Sequence, residues 1–220
     1  VYCSISGFGQ TGPYAEYPAL DTIIQAFSGV MSITGPGDGQ PYRAGPPIAD
    51  ISGSMYAAQS VLAALFERER TGEGTYIDVS MAESMISWLT VRAGWSFGTD
   101  EPYPRKGNEL DEFVPYGVYE CADGYLAICA VQDHHWDRLA EAIGRPELGD
   151  DDRFETADDR RANRADVNAI LDEALADEQV RDVFEDLAAQ NIPAAPVHDT
   201  PEIWADQPVK ARGLHPTGET

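Results

Sequence analysis

The stretch PYRAGPPIAD (41–50), ISGSMYAAQSVLAALFERER (51–70) and TGEGTYIDVSM (71–81) decides how the rest of the chain is read. Gly45-Pro46-Pro47 makes a tight approach to Ile48-Ala49-Asp50. A helix is expected to start at Asp50, with the small residues Ser52, Gly53 and Ser54 in its first turn. Met55, Ala58, Leu62 and Leu65 recur at helical spacing, with Val61 and Phe66 beside them. Arg68 and Arg70 fall in the last turn, where cations suit the carbonyl end. Thr71-Gly72-Glu73-Gly74 stops the helix, and Tyr76-Ile77-Asp78-Val79 reads as a buried strand. Asp50 at the helix start is read as an N-cap, among the commonest uses of Asp before a helix. The same placement also suits a nucleophile. Backbone donors and the macrodipole hold the carboxylate anionic, small neighbours leave room for a substrate, and carboxylates do serve as covalent catalysts.

Composition narrows the partners. The net charge is -23. Residues 99–220 hold 29 of the 38 acidic and 11 of the 15 basic side chains. Such a surface repels a phosphate backbone, which argues against nucleic acid, and against a membrane surface for the same reason. The acidity, with Lys106 and Lys210 as the lysines, points to a halophilic protein in a high-salt cytoplasm. Cys3, Cys121 and Cys129 lie far apart and form neither a disulfide framework nor a CxxC metal signature, which fits a reducing cytosol. No apolar run approaches transmembrane length. Val1 stands inside a strand pattern and HPTGET closes the chain without a clear element, so the sequence reads as an internal piece of a longer protein.

After the first strand, Gly7-Phe8-Gly9-Gln10-Thr11-Gly12 is a literal GxGxxG. A dinucleotide site is rejected, because Pro13 and Tyr14 to Pro18 follow and no helix opens at the third glycine. Asp21 opens an amphipathic run (Ile23, Ile24, Ala26, Phe27) and reads as an N-cap. Gly35-Pro36-Gly37-Asp38-Gly39 is a loop. Residues 81–95 read as one helix with Met85, Ile86 and Leu89 on a face, and Met81 by itself reads as core. The stretch GTDEPYPRKGNELDEF (98–113) is polar and aperiodic, a linker by composition. Beyond it, Tyr116–Cys121 and Tyr125–Cys129 form a hairpin around Asp123-Gly124. Asp133 caps a helix to Ile143, two helices follow near 163–176 and 178–190, and Ile192–Val197 is a proline-pinned strand. Pro201–Ala205 is a helical turn. His134 and His135 lack HExxH spacing, and Asp150–Asp152 and Asp158-Asp159 lack a calcium-loop pattern, so no metal site is expected.

The ordered series GFGQTGP (7–13), LDTIIQAFSG (20–29), AGPPIADISG (44–53), ERERTGEGTYIDVSM (67–81) and PYGVYECADGYL (115–126) resembles the class III CoA-transferases, the CaiB/BaiF or carnitine-dehydratase-like group that includes formyl-CoA transferases. The resemblance covers nearly the whole chain. It implies an α/β fold: residues 1–98 as the C-terminal part of a Rossmann-like, CoA-binding large domain, 99–115 as a linker, 116–205 as a small α+β domain and 206–220 as an extended return linker. It implies an interlocked homodimer for the full-length protein. It also implies that Asp50 attacks the thioester of an acyl-CoA, a substrate and not a permanently bound cofactor, and passes the CoA to a carboxylic acid. Pro18, Ala19, Leu20, Asp21 and Met81 then lie against the CoA, and Gly7, Phe8 and Gly9 border the active site. Amides of Gly7–Gly9 or Ser52–Gly53 are candidate oxyanion donors. Gly107 and Asn108 match a pattern near the acyl group. Glu109-Leu110-Asp111-Glu112 departs from the family at that point, which leaves the accepted acid open. Racemases of the family place a His immediately before the aspartate matching Asp21. Leu20 stands here and cannot move a proton. The competing reading is a non-catalytic acidic interaction domain that kept the fold.

Overall fold

The computed structural model describes residues 1–214. The chain divides into two compact units, Val1–Gly107 and Asn108–Thr220, so the division falls inside the polar 99–115 stretch.

In the first unit, strand β1 (Tyr2–Ser6) is followed by helix α1 (Asp21–Phe27), the long helix α2 (Ile48–Thr71), strand β2 (Tyr76–Ser80), and helices α3 (Met81–Ile86) and α4 (Thr90–Thr99). β1 and β2 pair in parallel, with Ile5 opposite Val79 and Ser6 opposite Ser80. α2 packs against α1, α3 and both strands. Its C-terminus ends as the sequence indicates: Gly72 takes φ +79°, which only glycine adopts at little cost, and returns its amide to Arg68 O at 2.8 Å. The core is small: Ile24, Ala49, Ala82 and Met85, with Phe8, Ala19 and Met81 packed around them.

Three expectations are corrected here. α2 begins at Ile48 with Pro47 at the cap position, so Asp50 is the third helical residue and not its N-cap. The tight prolines start the turn early, and the Ile48 amide already reaches Pro46 O at 2.8 Å. The 81–95 helix is broken: a 3-10 turn at Ser87–Leu89 separates α3 from α4, and Thr90 sits at φ +44°, a region β-branched residues rarely take. β2 is buried only at Val79 and Ser80. Apart from these, the apolar faces of α2 and α4 are open within this chain, with Leu62, Phe66 and Val91 each about two-thirds exposed.

The second unit contains β3 (Tyr116–Cys121), β4 (Gly124–Cys129), α5 (Asp133–Ala142), α6 (Ala157–Ala162), α7 (Arg164–Leu175), α8 (Val180–Ala189), β5 (Ala194–Pro196), α9 (Thr200–Ala205) and α10 (Gln207–Ala211). β3, β4 and β5 form an antiparallel sheet in that order. Its core joins Leu126, Ile128, Trp136, Phe154, Leu171 and Leu187. Cys121 pairs with Gly124, so the hairpin loop is Ala122-Asp123, not Asp123-Gly124. Asp123 is drawn aside because its Oδ1 accepts the Val180 amide at 2.8 Å, closing the start of α8. Asp133 is likewise the first residue of α5 and not its cap; its carboxylate accepts from Arg160 at 2.6 Å. The 206–220 tail is not wholly extended, since α10 occupies Gln207–Ala211; residues 215–220 of that stretch lie outside the described residues.

Candidate active site

Asp50 is exposed in the first turn of a 24-residue helix. Its main-chain carbonyl accepts from Ser54 Oγ at 2.8 Å. Its carboxylate makes no hydrogen bond or ion pair among the described residues. The neighbouring Ala49 is fully buried in the unit's core. The side chain thus stands on a rigid base, at the positive end of the helix, free to meet a ligand.

The amide left over at this helix end is closed from a distance. Asp21 Oδ1 accepts the Ala49 amide at 2.8 Å, and Asp21 Oδ2 accepts Gln25 Nε2 at 2.7 Å. Gln25 is fully buried, and its Oε1 accepts the Ala44 amide at 2.8 Å. Asp21 is the first residue of α1, with Leu20 at the cap position, so the expectation that it caps its own helix is corrected too. Both its oxygens are committed to intramolecular donors. Gln25 was not singled out in the sequence, although its i+4 spacing from Asp21 is a signal of that pair.

Of the residues implied near the CoA and the active-site loop, Phe8, Ala19 and Met81 pack on the core cluster that holds Ala49. Gly7 and Ala19 touch so closely that a Cβ on Gly7 would come within 2.2 Å of Ala19 Cβ. Phe8 packs edge-to-face on Phe27, with centroids 5.0 Å apart. Gly9 is buried at φ +86°. The loop is tied to β2 and α3: Ala82 N donates to Gly7 O at 2.9 Å, and Gln10 N donates to Asp78 Oδ2 at 2.8 Å. Asp78 is a holding residue that the sequence did not mark. Met81 is half-buried beside Gly53, where an added Cβ would lie 3.0 Å from Met81 Cγ. Gly53 is therefore small to seat Met81, and not to clear a path for substrate. Pro18 and Leu20 are exposed.

Because α2 starts at Ile48, the amides of Ser52 and Gly53 fall beyond the first turn and belong to the helical ladder, which removes them as oxyanion donors. Arg105 spends its guanidinium on the carbonyls of Ser32, Pro36 and Gly39, and Gly107 N donates to Gly35 O at 3.0 Å. Gly107 takes φ +60°. Asn108 belongs to the second unit. There the departing segment is anchored: Glu109 accepts from Asn168 at 2.8 Å, and Arg164 donates to Leu110 O at 2.7 Å. Among the described residues, no group of three or more His, Cys, Asp or Glu side chains is placed to hold a metal ion.

This frame is that of the class III CoA-transferase fold, and the chain belongs to CoA-transferase family III, whose model matches residues 1–219. It is 37% identical over 214 residues to a succinate–glutarate CoA-transferase of Agrobacterium fabrum, covering 97% of this chain and 54% of that one. It is 39% identical over 222 residues to a succinyl-CoA:mesaconate CoA-transferase of Haloarcula marismortui, with the same two coverages. A CAIB/BAIF family protein from Brucella suis superimposes with a TM-score of 0.90 at 36% identity, over 97% of this chain and 57% of that one. The chain spans about half the length of the curated relatives it matches.

Proposed function

We propose that the whole protein transfers CoA from an acyl-CoA donor to a carboxylic acid through covalent intermediates on Asp50. The observation that carries this reading is the exposed, unpartnered carboxylate at the start of a long helix. An Asp50 oxygen attacks the thioester carbonyl, the C–S bond breaks, and CoA leaves as thiolate, giving a mixed anhydride. The thiolate then attacks the aspartyl carbonyl and releases the donor acid, leaving an aspartyl-CoA thioester. The acceptor carboxylate attacks that thioester and frees the thiolate again. The thiolate finally attacks the acceptor acyl carbon and regenerates the Asp50 carboxylate. Two easier exchanges replace one hard one, with no net proton transfer. Donors at the Gly7-Phe8-Gly9 loop stabilise the oxyanions, and Pro18, Ala19, Leu20 and Met81 form the wall against the CoA; Asp21 stands behind that wall, its carboxylate turned to Ala49 and Gln25 and not to the ligand. Gly107 and Asn108 border the acyl group.

The two curated relatives described above are named for succinate, glutarate and mesaconate; all are short dicarboxylic acids, and that class is the first to try here. Racemisation is the second reading, and the exposed Leu20 where a proton-transfer base is required speaks against it. Mass spectrometry of the whole protein after incubation with a panel of acyl-CoAs tests the proposal. A CoA adduct on the peptide containing Asp50 is the expected result, and an adduct confined to another peptide overturns it.

The same reading makes the protein a cytoplasmic homodimer of interlocked chains. The apolar faces of α2 and α4, open within this chain, supply the surface. No described helix is long and apolar enough to cross a membrane. Sedimentation at micromolar and nanomolar concentrations checks the assembly, and a folded, active monomer rules interlocking out. The acidity fits a cytoplasm of high salt, where screening relieves like-charge repulsion that acts over about 10 Å in ordinary buffer. A melting temperature that does not move between dilute buffer and molar KCl removes that argument.

A further inference from the structure

Helix α2 carries Asp50 but cannot close its own start. Pro47 at the cap position has no side-chain acceptor, and the Ala49 amide, one residue before Asp50, points out of the helix. The acceptor it finds is Asp21, on a different helix. Asp21 is in turn held by Gln25, and Gln25 holds the Ala44 amide at the far end of the Gly45-Pro46-Pro47 approach. We propose that Asp21 and Gln25 are positioning residues for the covalent step: a hydrogen-bond relay of fixed polarity that sets where Asp50 stands. This inference rests on Asp50 being the nucleophile.

The polarity of the relay follows from what each group can do. The Ala49 and Ala44 amides only donate. Between them stand one carboxylate, which only accepts, and one carboxamide, which does both. Every bond is satisfied in a single arrangement, with Gln25 Nε2 toward Asp21 and Oε1 toward Ala44. Asp21→Asn breaks it wherever the amides are turned. If Asn Oδ1 keeps Ala49, its Nδ2 faces Gln25. Gln25 must then flip to accept, and its own Nε2 confronts the Ala44 amide. Gln25→Glu alone sets two carboxylates against each other. The double variant Asp21→Asn/Gln25→Glu satisfies all the bonds again: Asn accepts from Ala49 and donates to Glu, and the second Glu oxygen accepts from Ala44. The net charge of the pair is unchanged.

The double variant separates this role from contact with substrate. Steady-state rates and single-turnover adduct formation are measured on the whole protein with an acyl-CoA that loads it, alongside hydrogen exchange at the Ala44 and Ala49 amides. Each single variant is expected to lower kcat by about tenfold to a hundredfold while KM for the acyl-CoA moves less than about threefold, because displacement of a reacting group costs rate and not ground-state binding. Both amides exchange faster in the single variants. The double variant restores protection and brings kcat back to within about threefold of the parent. Single variants with parental rates, an effect confined to KM, or a double variant no better than the singles overturns the proposal. Asp50→Ala is run in parallel. Undiminished turnover there removes the nucleophile reading, whereas the exchange data still report on the relay itself, so the two failures are distinguishable.

Discussion

Asp21 accepts the amide of Ala49, 28 residues further along the chain, at 2.8 Å and thereby closes the start of α2. Asp50, next to Ala49 in the same turn, is relieved of that duty. Because the cap lies elsewhere, Asp50→Ala is expected to change stability by no more than about 1 kcal/mol, the scale of a first-turn carboxylate on the helix dipole, while CoA transfer is lost. Chemical denaturation and turnover assays of the whole protein check the two halves separately. Substantial turnover in the Ala variant would sink the nucleophile assignment.

The Gly7–Gly9 loop depends on the absence of one methyl group. A Cβ on Gly7 would lie 2.2 Å from Ala19 Cβ, closer than carbon atoms can approach. Gly7→Ala should therefore destabilise the chain by about 1–3 kcal/mol, the usual cost of overpacking. Adding Ala19→Gly removes the opposing methyl and should recover most of the loss. Thermal unfolding of the single and double variants decides; a double variant no more stable than Gly7→Ala contradicts the close contact.

Arg160 is the buried cation of the second unit, 1% exposed. It donates to the carbonyls of Val114 (3.2 Å), Phe154 (2.8 Å) and Glu155 (3.2 Å), and to Asp133 at 2.6 Å. Arg160→Met leaves several buried carbonyls without a donor, an expected loss of about 3 kcal/mol or more. Lysine should not rescue it, because a single ammonium cannot span the fork that guanidinium provides. Urea unfolding monitored at Trp136, which packs 5.4 Å from Phe154, reads the effect. A loss below that of an exposed substitution counts against the assignment.

His135 gives the second unit a pH response of definite sign. The imidazole is buried, and Nδ1 has no hydrogen-bond partner among the described residues. Burial pushes its pKa down, and His134 and Arg138 push the same way. The unfolded chain therefore takes up this proton first. The stability due to neutral His135 is present above the ordinary histidine value, about 6.5, and is lost as pH falls below it. His135→Phe should flatten that part of the stability–pH curve. Parallel curves for parent and variant between about pH 7 and pH 5.5 would show that His135 does not carry the response.

Much was legible locally. The spacing from Met55 to Leu65 located α2, Gly72 located its end, and the periodicity near 163–176 and 178–190 located α7 and α8, because helix signals lie within a few residues of one another. The ordered motifs carried the family, since each is a continuous run. The partner of each polar group was not legible. An Asp before a helix looks like that helix's own cap, and at Asp21, Asp50 and Asp133 it is not.

Residue order by itself determined that an acidic α/β chain of the class III CoA-transferase family would present Asp50 at a helix start. Only the tertiary structure decided what holds that start in place: Asp21 on Ala49, with Asp123 doing the same for Val180 across 57 residues and Arg160 reaching Val114 across 46. The physical reason is that a buried donor must be paired but takes whichever acceptor the fold brings within about 3 Å. Sequence shows which groups exist, and packing selects which of them meet.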